Sequence, residues 1–250
     1  MYHTTGLTIE QITDLCGLVD MDTTAEQRRW PPILGLFNSA VIALTYMRCN
    51  RVQAELAEAY EVSQPTISRA ITGMTPLIER VLRKFVPTAD ELDDQTQYIV
   101  DGTLLPCWSW ADRPELYSGK HKTTGMNVQI ACTLDGRLAW ISDPIEGRRH
   151  DTYCLKESGA LLTLNPDNWM GDKGYVGNYM LTPIKKPKHR KLLDWEKEFN
   201  TQINKIRYVI EQTIANVKTW RILHADYRRP IETFAETIST VIALHFYAAA

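Results

Sequence analysis

Residues 199–223, FNTQINKIRYVIEQTIANVKTWRIL, constrain the fold of this chain more than any other stretch. At 3.6 residues per turn each step rotates by about 100°. Asn204, Arg207, Glu211 and Lys218 then fall within about 60° of one another. Ile203, Ile206, Ile210, Ile214 and Val217 form an adjoining stripe of about 80°. The spacing predicts a core-facing helix that carries an acid, flanked by Arg207 and Lys218, on the border of its buried face. Such an arrangement suits a carboxylate held beside a polyanion. Arg207 and Glu211 also stand at i,i+4, the spacing of a surface ion pair.

The rest of the composition narrows the class. A length of 250 residues accommodates one large domain or two small ones. Hydrophobic content of 44% and charged content of 23% fit a globular protein. The apolar runs are too short to span a bilayer, and MYHTTGLTIE has no basic segment followed by an apolar one, so neither a membrane span nor a signal peptide is expected. Five scattered cysteines without a CxxC pair argue against a zinc knuckle or a disulfide framework and for a reducing, cytoplasmic setting. Net charge is −2 but uneven: residues 182–229 hold 12 Lys and Arg against 5 Asp and Glu. Positive charge thus concentrates around the Glu211 helix, either to meet a phosphate backbone or as a solvated basic surface.

Along the chain, residues 1–32 read as a helical or irregular lead-in that ends at Pro31-Pro32, and Leu34, Phe37, Val41, Leu44 and Tyr46 predict a helix over 33–47. In RVQAELAEAYEVSQPTISRAITG, Val52, Leu56 and Tyr60 line one helix, and Ser63 is placed to cap a second with Pro65 in its first turn. Ile67 and Ile71 face back toward the first helix, which leaves Gln64, Thr66, Ser68 and Arg69 on the outer face. This is a helix-turn-helix pattern over about 51–72, with an ordinary helical hairpin as the alternative. Arg69, Arg80, Arg83 and Lys84 give the second helix a basic edge.

Residues 87–97 read as a polar linker, after which the pattern changes to short β-rich runs: YIVDGT, MNVQIACTL and RLAWISDP. Asp135-Gly136 predicts a tight hairpin, because glycine supplies positive φ. HDTYCLKESGALLTL reads as helix, NWMGDKGY as a strand entering a glycine-bounded turn, and 192–223 as mostly helix. Strands, helix, strand and long helix make a mixed α/β order.

Two further acids stand near strand ends. Asp101 follows Tyr98-Ile99-Val100, and Asp172 follows Trp169-Met170-Gly171. A buried strand can fix a carboxylate that faces a cleft. Hard divalent cations prefer oxygen ligands, and a pair of them can activate an attacking hydroxyl and stabilise a leaving oxygen. Arg207, Lys218, Lys173 and the basic cluster with Lys185, Lys186 and Lys188 would hold flanking phosphates. Asp151 of GRRHD competes with Asp172 as a site acid or caps the following helix. The chain has no GxSxG and no P-loop pattern, which argues against serine-triad hydrolysis and ATP hydrolysis.

VDGT, GKHKTTGMNVQ, EGRRHD, GDKGY, PIKKPKHRKL and the N-xx-R-xxx-E-xxx-A-xx-K-x-W-R-I-L helix occur in that order over residues 34–247. In this order they resemble DDE-type transposases of bacterial insertion sequences, in the branch akin to eukaryotic Harbinger transposases. The resemblance implies a helical N-terminal region over 1–90 and an RNase H-like catalytic domain over 95–250. It implies a metal-binding triad of Asp101, Asp172 and Glu211 that uses two Mg²⁺ or Mn²⁺ ions. The implied chemistry is hydrolysis at transposon ends followed by 3′-hydroxyl attack on target DNA. Terminal inverted repeats and target DNA would be the partners, engaged by a homodimer or larger assembly in the bacterial nucleoid. Lys120 and Lys122 join the expected DNA contacts. A catalytically silent DNA-binding protein and a domesticated nuclease remain the alternatives.

Overall fold

Five helices open the chain in the computed structural model, which describes residues 2–108, 112–163 and 165–249. They are α1 (Tyr2–Thr5), α2 (Ile9–Asp22), α3 (Gly35–Cys49), α4 (Gln53–Ala59) and α5 (Gln64–Leu82). Thr8 and Gln11 form a reciprocal capping box that starts α2. Apolar faces then bury Ile12, Leu15 and Val19 of α2, most of α3, and Ile67, Ile71, Met74 and Ile78 of α5. Asn50 ends α3 in the left-handed conformation (φ 48°), which lets the chain turn sharply into α4. The second helix of the expected pair extends ten residues beyond 72 and passes through Pro76. Packing of its apolar face outweighs the missing amide donor.

The second unit is built on strands β1 (Tyr98–Pro106), β2 (Tyr117–Ser118), β3 (Thr123–Thr133), β4 (Leu138–Ile141), β5 (Ile145–Glu146) and β6 (Trp169–Met170). β3 is the hub, pairing antiparallel with β1, β2, β4 and β5, whereas β6 joins the far side of β1 in parallel. The expected β3–β4 hairpin forms, with Gly136 at φ 86°. Helices α6 (Asp151–Glu157) and α7 (Ala160–Thr163) split the stretch expected to be one helix, and Leu164, its final residue, lies outside the described residues. Gly159, at φ 75°, is the break between them. Tyr98, Val100, Trp140, Leu155, Trp169 and Tyr175 form the core on one face of the sheet. Helix α8 (Asp194–Val217) follows.

The chain divides into two compact units, and the first is discontinuous: Met1–Val86 with Val217–Ala250, against Pro87–Asn216. The expected boundary near 90–95 therefore covers only part of the partition. Helix α9 (Phe234–Ala249) belongs to the first unit, where it packs on α5 and buries Phe234, Ile238, Val241, Ile242 and Leu244. Each such side chain contributes about 1.5–3 kcal/mol when fully buried, enough to hold a helix that is remote in sequence from its partners. No described helix is long and apolar enough to cross a membrane.

Candidate active site

The parallel pairing of β1 with β6 sets the site. Tyr98 lies opposite Trp169 and Ile99 opposite Met170, an offset of 71 residues (169 − 98). The same offset separates Asp101 from Asp172, and Asp172 retains extended backbone (φ −77°, ψ −180°). The pairing ends at Met170, two residues before Asp172, but its register runs toward the two acids, and the charge of Asp172 is felt at Asp101. Side chains alternate along β1: Tyr98 and Val100 enter the core and Asp101 points to the opposite face. Arg207 of α8 meets it there, with Nη2 3.6 Å from Asp101 Oδ2.

The electrostatics agree with that convergence. Burial is the main cause that pushes the Asp101 carboxyl up to about 6, and the charges of Asp172 and Asp151 push the same way. Arg207 and the Gly102 amide, which donates to Asp101 Oδ1 at 2.9 Å, act against the rise. Asp172 Oδ1 accepts from the Gly174 amide at 2.6 Å, so the turn after β6 holds that carboxylate. Arg207 is only 15% exposed, and its Nε is buried without a hydrogen-bond partner. The structure thus turns Arg207 toward an acid of the protein, where the sequence reading aimed it at a phosphate. No Arg207–Glu211 ion pair forms among the described residues.

Asp151 stands on the other face. Its Oδ1 accepts from Asn127 Nδ2 at 3.0 Å and its Oδ2 pairs with Lys120 Nζ at 2.9 Å. A Cβ at Gly102 would lie 2.2 Å from Asp151 Oδ1, so only glycine lets the carboxylate approach β1 this closely. The network continues inward: Gln129 Nε2 donates to Asn127 Oδ1 (2.9 Å), and the buried Tyr175 hydroxyl donates to Gln129 Oε1 (2.6 Å). Burial raises the Tyr175 hydroxyl well above its usual range, and Asp151, Asp101 and Asp172 add to this. Burial works to lower the Lys120 ammonium, but Asp151, Asp101 and Asp172 outweigh it and the net shift is upward. Asn127 and Gln129 were missed in the sequence. Their signal was two amides at i,i+2 inside an otherwise apolar strand.

Glu211 is solvent-exposed on α8, one turn or about 6 Å along the axis from Arg207. Among the described residues no three His, Cys, Asp or Glu side chains gather closely enough to hold one metal ion. Asp101 and Asp172 do offer the hard oxygen donors that a divalent cation takes. The basic loop before α8 is anchored at both ends. Asn200 Oδ1 accepts from the Ile184 amide at 2.7 Å, and Arg190 forks onto Glu196 at 2.6 and 2.7 Å. Lys185, Lys186 and Lys188 remain exposed between the anchors, as do Lys173 after Asp172 and Lys122 before β3. Lys218 follows α8, partly buried, and burial lowers its ammonium.

In the helical unit Gln64 and Arg69 are exposed and Ser68 is half-buried, as an outer face requires. Thr66 differs: it is buried, and its hydroxyl bonds Ser63 Oγ at 2.9 Å and accepts from Arg69 Nη2 at 3.3 Å. It braces the first turn of α5 and does not stand on the outer face. Arg80 and Arg83 of the expected basic edge pair with Asp22 and Glu79.

Comparison with known proteins matches two stretches of the chain, the later of which runs on into residues that belong to the helical unit. Residues 100–245 match a family profile described as DDE superfamily endonuclease, and residues 33–84 match the helix-turn-helix of DDE superfamily endonuclease. A transposase assigned to insertion sequence element IS112 of Streptomyces albus G is 29% identical over 81% of this chain and 75% of its own length. One assigned to element IS702 of Microchaete diplosiphon is 26% identical over 86% of this chain and 82% of its own. No solved structure matches. With its endonuclease match covering more than half of the residues, the chain belongs to the DDE superfamily of endonucleases and carries that superfamily's helix-turn-helix.

Proposed function

We propose that this protein is an insertion-sequence transposase that cleaves DNA at transposon ends and joins them to target DNA, with Asp101, Asp172 and Glu211 as its acidic triad. The observation that carries this reading is the β1–β6 register, which runs toward Asp101 and Asp172, with Arg207 of α8 paired to Asp101. Antiparallel β1, β3 and β4 with a parallel strand beside β1 support an RNase H-like core. Glu211, one turn beyond Arg207 on the same helix, is the third acid.

Mg²⁺ or Mn²⁺ held by these acids would supply a deprotonated attacking hydroxyl and charge relief at the leaving oxygen. The chain's own groups do the remaining work. Strand register and the Gly174 amide fix the two aspartates. Lys173, Lys185, Lys186 and Lys188 offer exposed cations to the flanking phosphates. The Asp101–Arg207 ion pair must give way or re-aim when phosphate arrives, which frees a guanidinium suited to bidentate contact. Synapsis of two inverted repeats calls for at least two protomers on DNA.

One observation favours a second reading, a DNA-binding protein without catalysis: Arg207 neutralises Asp101, and no described trio of acids is close-set. Incubating the purified protein with duplexes from the ends of its element, with Mg²⁺ or Mn²⁺ and target plasmid, separates the two. Nicked and joined products lost in Asp101→Asn, Asp172→Asn and Glu211→Gln are the expected outcome. Specific binding with no nicking under either metal establishes the second reading instead.

A further inference from the structure

The helix-turn-helix is completed by residues far outside it. Arg228 and Arg229 lie some 150 residues after α5, in the segment that leads into α9, yet both fold back onto the α3–α4–α5 region of the same unit. Tyr227 anchors them from beneath. It is fully buried, stacks on Phe234 with ring centroids 4.4 Å apart, and bonds the Thr233 and Thr237 hydroxyls at 2.7 and 2.9 Å. Arg228 Nη2 donates to Asn50 O at 2.9 Å and Oδ1 at 3.2 Å, at the corner where α3 hands over to α4. Arg229 Nη2 donates to Thr72 Oγ1 at 2.8 Å. Thr72 lies one and two turns beyond Ser68 and Gln64 on a single stripe of α5.

These contacts leave most of both guanidiniums uncommitted. Their partners are neutral oxygens, and neither arginine pairs with a carboxylate among the described residues. Together with Tyr46, Arg51, Val52 and Gln53 they line a cleft of about 180 Å³. Arg51 pairs with Glu55 at 3.5 Å, and no acid is among the described residues that line the cleft with the three guanidiniums. Arg228 is exposed and Arg229 half-buried, and accessible arginines oriented by neutral groups and left without counter-ions favour phosphate oxygens, which a planar guanidinium meets in bidentate geometry. Their position fits: a helix in the major groove, about 12 Å wide, brings cations one turn from its reading face within reach of the bordering strands.

We propose that Arg228 and Arg229, with Arg51, form a clamp for duplex DNA backbone phosphates that seats the helix-turn-helix in register. The proposal rests on that motif binding DNA. The clamp is sequence-independent, whereas Gln64, Ser68 and Arg69 read bases. Full-length protein is titrated with an inverted-repeat duplex and with a mixed-sequence duplex over a range of salt concentrations. The Arg228→Gln/Arg229→Gln variant keeps donors for Asn50 and Thr72 but loses both charges. It should bind both duplexes roughly 10- to 100-fold more weakly, with a log Kd against log salt slope shallower by about 2. Arg228→Lys/Arg229→Lys should recover part of the affinity and most of the slope. Arg69→Ala should weaken the inverted-repeat duplex selectively. An unchanged slope in the Gln variant, or a loss confined to the inverted-repeat duplex, overturns the clamp and leaves the motif's role standing. Wild-type protein that binds neither duplex overturns the motif's role and the clamp with it.

Discussion

Two sets of basic side chains, one in each unit, are satisfied in opposite ways. In the sheet unit Arg207, Lys120 and Arg190 bond Asp101, Asp151 and Glu196, each a carboxylate of the same unit. In the helical unit Arg228 and Arg229 bond a carbonyl, an amide and a hydroxyl, all of them neutral. A count along the chain obscures this. The basic stretch 182–229 is divided at 217, with 8 Lys and Arg against 4 acids on one side and 4 against 1 on the other. What matters for a polyanion is which cations keep their charge uncompensated, and that is a property of packing. Arg207, Lys120 and Arg190 restrain acids of their own unit, whereas Arg228 and Arg229 keep a charge that no described carboxylate offsets, unlike Arg28, Arg51, Arg80 and Arg83 beside them in the chain's helical unit.

The largest expected effect tests the sheet unit's division into two faces. Asp101→Asn and Asp172→Asn should lower metal-dependent nicking by roughly 10³-fold or more. Asp151→Asn, on the other face and already paired with Lys120 and Asn127, should stay within about tenfold. Equal losses in all three, measured as initial rates of nicking, would merge the two faces into one reacting set. Next in size, Gly102→Ala should destabilise the protein by about 1–3 kcal/mol in denaturant titrations, because the new methyl must displace Asp151 or Gln129.

The third expectation concerns pH. Asp101 has a folded-state pKa pushed up from 3.8 to about 6, so the folded protein holds this proton more tightly than the unfolded chain. Stability in chelator should then fall as pH rises from about 4 to 6, by about 1–3 kcal/mol, and level off above. The same titration of Asp101→Asn should lack that component. A wild-type slope equal to the variant's would mean Asp101 is not strained by its surroundings. The smallest effect sharpens the other side of the comparison. Thr72→Val removes the acceptor for Arg229 and should weaken DNA binding by only about two- to fivefold, since the charge remains. A loss as large as that of the arginine variant would make the hydroxyl, not the charge, the important group.

Local patterns were readable in the chain wherever neighbours in sequence are neighbours in space. The Asp135-Gly136 hairpin and the buried Ile67 and Ile71 of α5 needed only a turn residue or a periodicity. Asp101 and Asp172 were legible as strand-end acids, but the parallel pairing of the strands that lead to them is one that no local rule supplies. Thr66 was misjudged because position on a helix wheel does not reveal a hydroxyl turned inward to brace the first turn. The face occupied by Asp151 and the return of Arg228 and Arg229 depend on contacts between remote segments.

The discontinuity of the helical unit bears on how the protein is made. Helix α9 packs on α5, where Thr240 Oγ1 donates to Thr75 O at 3.3 Å, so a nascent chain that has finished residues 1–86 still lacks that cover. At about 5–20 residues per second the ribosome needs many more seconds to deliver the closing helix. By then the strands and α8 have emerged, so the helical unit is completed only once the whole sheet unit, Asp101 and Asp172 included, is already translated. A product terminated before residue 234 lacks the helix that packs on α5 and so leaves the helical unit open.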